Sequence, residues 1–278
     1  MASIKLIAFD LDDTLLNSKK ELTPETFETL KKAASMGIEI VPDTGRLFSA
    51  IPEVIKKLDF INYMITLNGA DIKDVKNNKS IAKFEIPTEQ VVTLSRVFKN
   101  LPVIYDCVAD GVGYMSRECF DKIPDFMLGE WQVRLVADFR TPVDDLGEFF
   151  ETNNLRGQKA QIYTLDKELR RNLLQALPVV FPESVFTSAL SNNIEINDKK
   201  ANKGSALKFM AEHLDIKIEE TLAFGDGLND IAMLEAAGIG VAVGNAVEEL
   251  KSVADYVTSS CDENGVAEGI KKFCFNLQ

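Results

Sequence analysis

The chain is short of the residues that most often carry metal or nucleophile chemistry. Its 278 residues include one histidine, His213, and four cysteines, Cys107, Cys119, Cys261 and Cys274, with no CxxC pair among them. That scarcity argues against a Cys/His zinc site and against a disulfide scaffold, and reduced thiols are the expectation. A Ser-His or Cys-His nucleophile would have to use His213, which lies among Leu207, Phe209, Met210 and Leu214 on an apparent helix. A structural histidine is expected there, so acids and bases must come from carboxylates or lysines. No apolar run reaches the roughly 18–20 residues of a membrane span. The first residues show no basic region followed by an apolar stretch, so no signal peptide is expected and a cytoplasmic location is. Cations are fewer than anions, 31 against 43, for a formal charge of −12. Neither nucleic acid nor an anionic membrane is then an expected partner. An anionic small molecule remains open, because a few local cations or one metal ion outweigh the global field.

What is present is ordinary globular composition, 46% hydrophobic and 27% charged, in a length that suits one large or two moderate domains. Residues 4–9 read as a buried strand with Asp10 at its C-terminal end. Thr23-Pro24 opens a helix that Gly37 stops. Residues 38–41 form a second strand, a helix follows Arg46 late because of Pro52, and residues 64–67 form a third strand broken at Asn68-Gly69. The same rhythm returns after residue 203, with strands at 221–224, 239–243 and 256–257 and helices at 203–214, 229–238 and 245–253, then a closing helix to Phe273. Strand–helix alternation of this kind indicates βαβ units and a parallel sheet.

The middle differs. Paired short strands at 103–107 and 112–116 flank Asp110-Gly111, a hairpin signal, with helical stretches near 88–99 and 167–177. The expected architecture is therefore α/β: a Rossmann-like parallel sheet with helices on both faces, built from residues 1–83 and 190–278, with residues 84–189 as an inserted α+β domain.

Chemistry concentrates at four strand ends, where open α/β sheets bind ligands. Asp10-Leu11-Asp12-Asp13-Thr14 packs three carboxylates into four positions, an arrangement that raises their pKa values unless a cation offsets them. An EF-hand is excluded because Leu15 stands where that loop needs glycine. The other ends are Asp43-Thr44-Gly45-Arg46, Asn68-Gly69, and Gly225-Asp226-Gly227-Leu228-Asn229-Asp230. Carboxylates from two ends could share a hard dication, and Thr44-Gly45 could hold anionic oxygens. Lys203 begins a helix, where a cation opposes the dipole; it is either a solvated member of the run 199–203 or a partner for bound phosphate.

In that order and spacing, Asp10-Leu11-Asp12-Asp13-Thr14, Thr44-Gly45-Arg46, Lys203-Gly204 and Gly225-Asp226-Gly227-Leu228-Asn229-Asp230 resemble the four motifs of the haloacid dehalogenase superfamily. The Asn68-Gly69-Ala70 turn and the Ile194-Glu195-Ile196 strand fit its Cof-type branch of small-molecule phosphatases with a type-IIB cap. The resemblance implies that Asp10 is a nucleophile forming an aspartyl-phosphate and Asp12 the acid–base. It implies that Asp10, the Asp12 carbonyl and Asp226 hold Mg²⁺. Leu11, Thr44, Gly45, Lys203 and Asn229 would hold phosphate oxygens. Asp230 would orient Lys203 or a metal-bound water, or merely cap its helix. The substrate would be a small phosphorylated metabolite, sugar phosphates first, with the inserted cap reading its organic part. Phosphomutase chemistry on the same core, or a non-catalytic phosphometabolite sensor, are the rival readings. Two departures are visible: Asp13 stands where glycine is usual, and Pro42-Asp43 precedes Thr44 where a small residue is common.

Overall fold

A computed structural model describes residues 3–188 and 190–275. The chain forms two compact units, one of residues Met1–Gly45, Pro52–Ala82 and Asn202–Gln278, the other of Arg46–Ile51 and Lys83–Ala201.

The first unit is built on strands β1 (Leu6–Phe9), β2 (Glu39–Pro42) and β3 (Tyr63–Thr66), followed by β4 (Asp71–Asp74) and β5 (Lys79–Lys83). Six further strands intervene in the chain before β12 (Thr221–Gly225), β13 (Ile239–Ala242) and β14 (Tyr256–Val257). Its sheet has the order β14-β13-β12-β1-β2, every pair parallel. Leu6 to Phe9 are fully buried, the continuous apolar run that a strand covered on both faces requires. The end of β2 reaches β3 through a parallel bridge between Asp43 and Ile65, and β3 turns back through antiparallel β4 to β5.

Helix signals act as the sequence predicts at the first helix, Pro24–Ser35. The Thr23 hydroxyl accepts from Thr26 N–H at 3.2 Å, and Gly37 takes φ +83° just past the end. This helix packs on Gly265–Ile270, while Lys203–His213 packs on Ile231–Ala236. After Arg46 the expected late helix is only a 3₁₀ turn, Phe48–Ala50, and one turn at Glu53–Lys56 beyond Pro52. The predicted helix 245–253 shrinks to Glu248–Lys251. Asn245 is tied elsewhere: its amide donates to the Asp13 carbonyl and its oxygen accepts from Cys261 N–H.

The second unit carries a six-stranded sheet of β6 (Ile104–Ala109), β7 (Val112–Ser116), β8 (Arg140–Val143), β9 (Lys159–Tyr163), β10 (Ser184–Thr187) and β11 (Asn193–Asp198), in the order β10-β11-β9-β6-β7-β8. The β6–β7 hairpin turns at Asp110 and Gly111, φ +48° and +75°, as the Asp-Gly pair predicts. Helices Thr88–Phe98, Leu146–Thr152 and Lys167–Val180 close a core that includes Leu94, Phe98, Phe150, Ile162, Leu173 and Ile196. The expected boundary between residues 189 and 190 needs correction at its far side (residue 189 lies outside the described residues). β11 pairs with β9 and β10, so residues 190–201 belong to the second unit rather than to the parallel core. The alternation of Ile194 and Ile196 with polar neighbours marks a strand but does not say which sheet takes it.

Candidate active site

Asp10 follows β1 directly, and its N–H donates to the Phe224 carbonyl of β12 at 3.0 Å, which fixes it beside the loop after β12. Lys203 opens its helix with Asn202 as N-cap, the Asn202 side chain accepting from Ser205 N–H. Its ammonium is fully buried and donates to Asp10 Oδ1 at 2.7 Å and to Asp230 Oδ1 at 2.6 Å. The solvated-lysine reading of Lys203 is thereby excluded. Gly204 makes this approach possible: a Cβ there would lie 2.1 Å from the Ala232 carbonyl oxygen, so a side chain would wedge the two helices apart.

Asp230 joins two jobs. Besides taking Lys203, its Oδ2 accepts from the N–H groups of Asp226 and Gly227, each at 2.9 Å, and so shapes the loop after β12. Its contact with Lys203 fits the orienting role expected for it, and its bonds to the Asp226 and Gly227 N–H groups close the turn that leads into the next helix. Asp226 Oδ1 accepts from the Thr14 hydroxyl at 2.7 Å, an anchor not anticipated from sequence although Thr14 lies within the first motif.

Carboxylate oxygens of Asp10, Asp226 and Asp230 lie within 4.8 Å of one another. Both oxygens of Asp230 are engaged, by Lys203 and by backbone N–H groups. Asp10 and Asp226 are therefore the two that can turn an oxygen to a cation. Burial raises the Asp10 carboxyl above its ordinary range; Lys203 opposes this, and Asp230, Asp226 and Asp12 add to it. Asp226 is pushed up to about 7, by burial first and Asp230 next. Lys203 is held above its ordinary value: burial pulls it down, and Asp10, Asp230 and Asp43 more than reverse that. One buried cation for several acids leaves the site short of positive charge, and its donors are hard oxygens. A dication fits it.

The remaining expected residues are placed as follows. Leu11 is fully buried behind the loop. Thr44 lies two residues past β2, its N–H donating to the Ile65 carbonyl and its carbonyl accepting from Asn68 N–H, and it is 1% exposed. Gly45 follows at the edge of the first unit. Asn229 donates to Asn68 Oδ1 at 3.3 Å, bringing two strand-end turns together. The Asp12 carboxylate stands apart from the three-carboxylate cluster and faces Lys20 Nζ at 3.5 Å. Asp43 is fully buried with neither carboxyl oxygen hydrogen-bonded, and burial raises it well above its usual range. His213 is exposed, stacked on Phe209 and edge-on to Tyr63, and takes no part.

Comparison with known proteins bears on this geometry. Residues 7–270 match the profile of the haloacid dehalogenase-like hydrolases. The chain belongs to that family. It is 33% identical to phosphatase YwpJ of Bacillus subtilis, over 96% of this chain and 99% of that protein. It is 31% identical to the 5-amino-6-(5-phospho-D-ribitylamino)uracil phosphatase YcsE of the same organism, over 96% and 95%. A solved subclass IIB sugar phosphatase of the superfamily superposes with a TM-score of 0.79 at 27% identity, covering 97% of this chain and 98% of that one. The chain is accordingly a haloacid dehalogenase-type hydrolase acting on phosphate esters, of the Cof-type branch with a type-IIB cap. Among the described residues no helix is long and apolar enough to cross a membrane.

Proposed function

We propose that the protein hydrolyses phosphomonoesters of small metabolites, sugar phosphates foremost, with Mg²⁺ and through an aspartyl-phosphate. The observation that carries this is the buried Lys203 held between Asp10 and Asp230, with Asp226 alongside. The Asp10 carboxylate, held in place by its bond to Lys203, attacks phosphorus. The O–P bond to the organic group breaks as Asp10 bonds, and Asp12 gives its proton to the departing alkoxide. Water then adds to phosphorus, Asp12 takes its proton, and the Asp10–phosphorus bond breaks to release inorganic phosphate. Thr44, Gly45, Lys203 and Asn229, with Leu11, hold the other phosphoryl oxygens. Asp10, the Asp12 carbonyl and Asp226 would hold Mg²⁺, which supplies positive charge against the two anions that must meet. The second unit, residues 83–201 in the main, serves as the cap that reads the organic group. Preference for sugars is supported by the subclass IIB relative, and four free buried cysteines suit a reducing, cytoplasmic setting.

The experiment is direct. Protein with Mg²⁺ should release phosphate from p-nitrophenyl phosphate, stop with EDTA, and show an acid-stable phosphate on Asp10 by mass spectrometry after rapid quench. Asp10→Asn should fold and be inactive; an active variant removes Asp10 as nucleophile. Transfer to a second sugar in place of free phosphate would make the enzyme a mutase.

A further inference from the structure

We propose that Asp13 and Lys20 together position Asp12, an inference that rests on the acid–base role given to Asp12 above. Asp13 and Lys20 both adopt left-handed backbone, φ +59° and +61°, where an ordinary side chain is disfavoured. The first explains why glycine is usual at that position in the family motif, and why an aspartate there calls for a reason. The reason is in the side chain. Lys20 Nζ lies 2.8 Å from Asp13 Oδ1 and 3.5 Å from Asp12 Oδ1, so one ammonium spans two adjacent carboxylates.

Both ends of this bridge are pinned by contacts of their own. The Asp13 carbonyl accepts from Asn245 Nδ2 at 2.7 Å. Lys20 lies in a tight turn, its N–H donating to the Asn17 carbonyl at 2.8 Å while Asn17 Oδ1 takes Lys19 and Glu21 N–H. The Lys20 side chain is 22% exposed, so the ammonium is largely withdrawn from water, where a carboxylate holds it more firmly than at an open surface. Asp13 thus anchors the lysine, and the lysine fixes the direction of the Asp12 carboxylate. A glycine at position 13 would remove the shorter of these two ion pairs and weaken the lysine's hold on Asp12. A residue that protonates a leaving oxygen depends on such fixed direction.

The test separates positioning from fold. The full-length enzyme with Mg²⁺ is assayed for kcat/KM on p-nitrophenyl phosphate, whose leaving group needs no proton, and on phenyl phosphate, whose leaving group gains from one. Lys20→Met and Asp13→Asn should each lose about tenfold on phenyl phosphate and less than about twofold on p-nitrophenyl phosphate, a fraction of what general acid catalysis supplies. The double variant should be no worse than Lys20→Met alone, and Lys20→Arg should restore most of the loss. Equal losses on both esters, or losses that multiply in the double variant, overturn the proposal. Asp12→Asn in the same assay keeps the readings apart. If it shows the ester discrimination and the Lys20 variants do not, only the positioning role fails; if it shows none, the acid–base assignment fails.

Discussion

Replacing Lys203 by methionine offers the sharpest test of the buried charge arrangement. Methionine fills nearly the same volume, so the perturbation is loss of one ammonium and of two charge-assisted hydrogen bonds, 2.7 and 2.6 Å long. The partners left behind, Asp10 and Asp230, are 8% and 0% exposed and have little water to turn to. Breaking a buried pair by removing one partner costs roughly 3–5 kcal/mol. At about 2–4 °C per kcal/mol for a domain of this size, the melting temperature should fall by about 10 °C in metal-free protein at pH 7. The pH dependence has a definite sign. Lys203 is raised above the ordinary lysine value, so its contribution is complete throughout the neutral range and disappears only in strong alkali. In the variant, instability should instead grow as pH rises and Asp10 ionises, and it should shrink in acid. Mg²⁺ should recover part of the loss by facing Asp10. Circular dichroism melts with EDTA and with Mg²⁺, at pH 5 and pH 8, decide the matter. A variant within about 1 °C of the parent at pH 8 without metal would refute the argument.

Burial raises the Asp43 carboxyl above its ordinary range, so its pull on stability turns unfavourable as pH climbs from the ordinary carboxylate range. Asp43→Asn in metal-free protein should melt higher than the parent at pH 7, with the gap closing near pH 4. Gly204→Ala should lower stability by about 1–3 kcal/mol, because its new methyl meets the Ala232 carbonyl, and should reduce turnover by displacing Lys203; urea unfolding and a steady-state assay read both. Metal-free Asp226 titrates near 7, so Mg²⁺ should bind more tightly as pH rises through that value and release protons as it does; calorimetry in buffers of different ionisation enthalpy measures them.

Much of the site is legible in the sequence because its groups follow short apolar strands whose ends are marked by glycine and acid. Asp10, Asp226, Asp230 and Lys203 come together as those marks imply. What is not legible is long-range partnership. Asp230 could orient Lys203 or cap a helix, and only the meeting of two helices at Gly204 brings the lysine within its reach. Asn245 looks like a helix start, yet it ties the loop at Asp13 to Cys261, 232 and 16 residues away in sequence, and the helix beyond it is one turn long. The membership of β11 likewise depends on which strands are free to pair, a property of the whole sheet rather than of residues 193–198. Lys20 sits in a polar stretch with nothing local to distinguish it from its neighbour Lys19.

The pairing of β1 with β12 has a consequence for synthesis. Leu6 lies beside Thr221, so the strand bearing Asp10 leaves the ribosome some two hundred residues before its central neighbour exists. Nearly the whole second unit is contiguous and can collapse in that interval, whereas the parallel sheet must wait until β12 has been made. Until then the acidic loop after β1 has no ammonium from position 203 to answer it. A nascent chain halted after about residue 200 should therefore display a protease-resistant insert beside an N-terminal segment that is still open to cleavage.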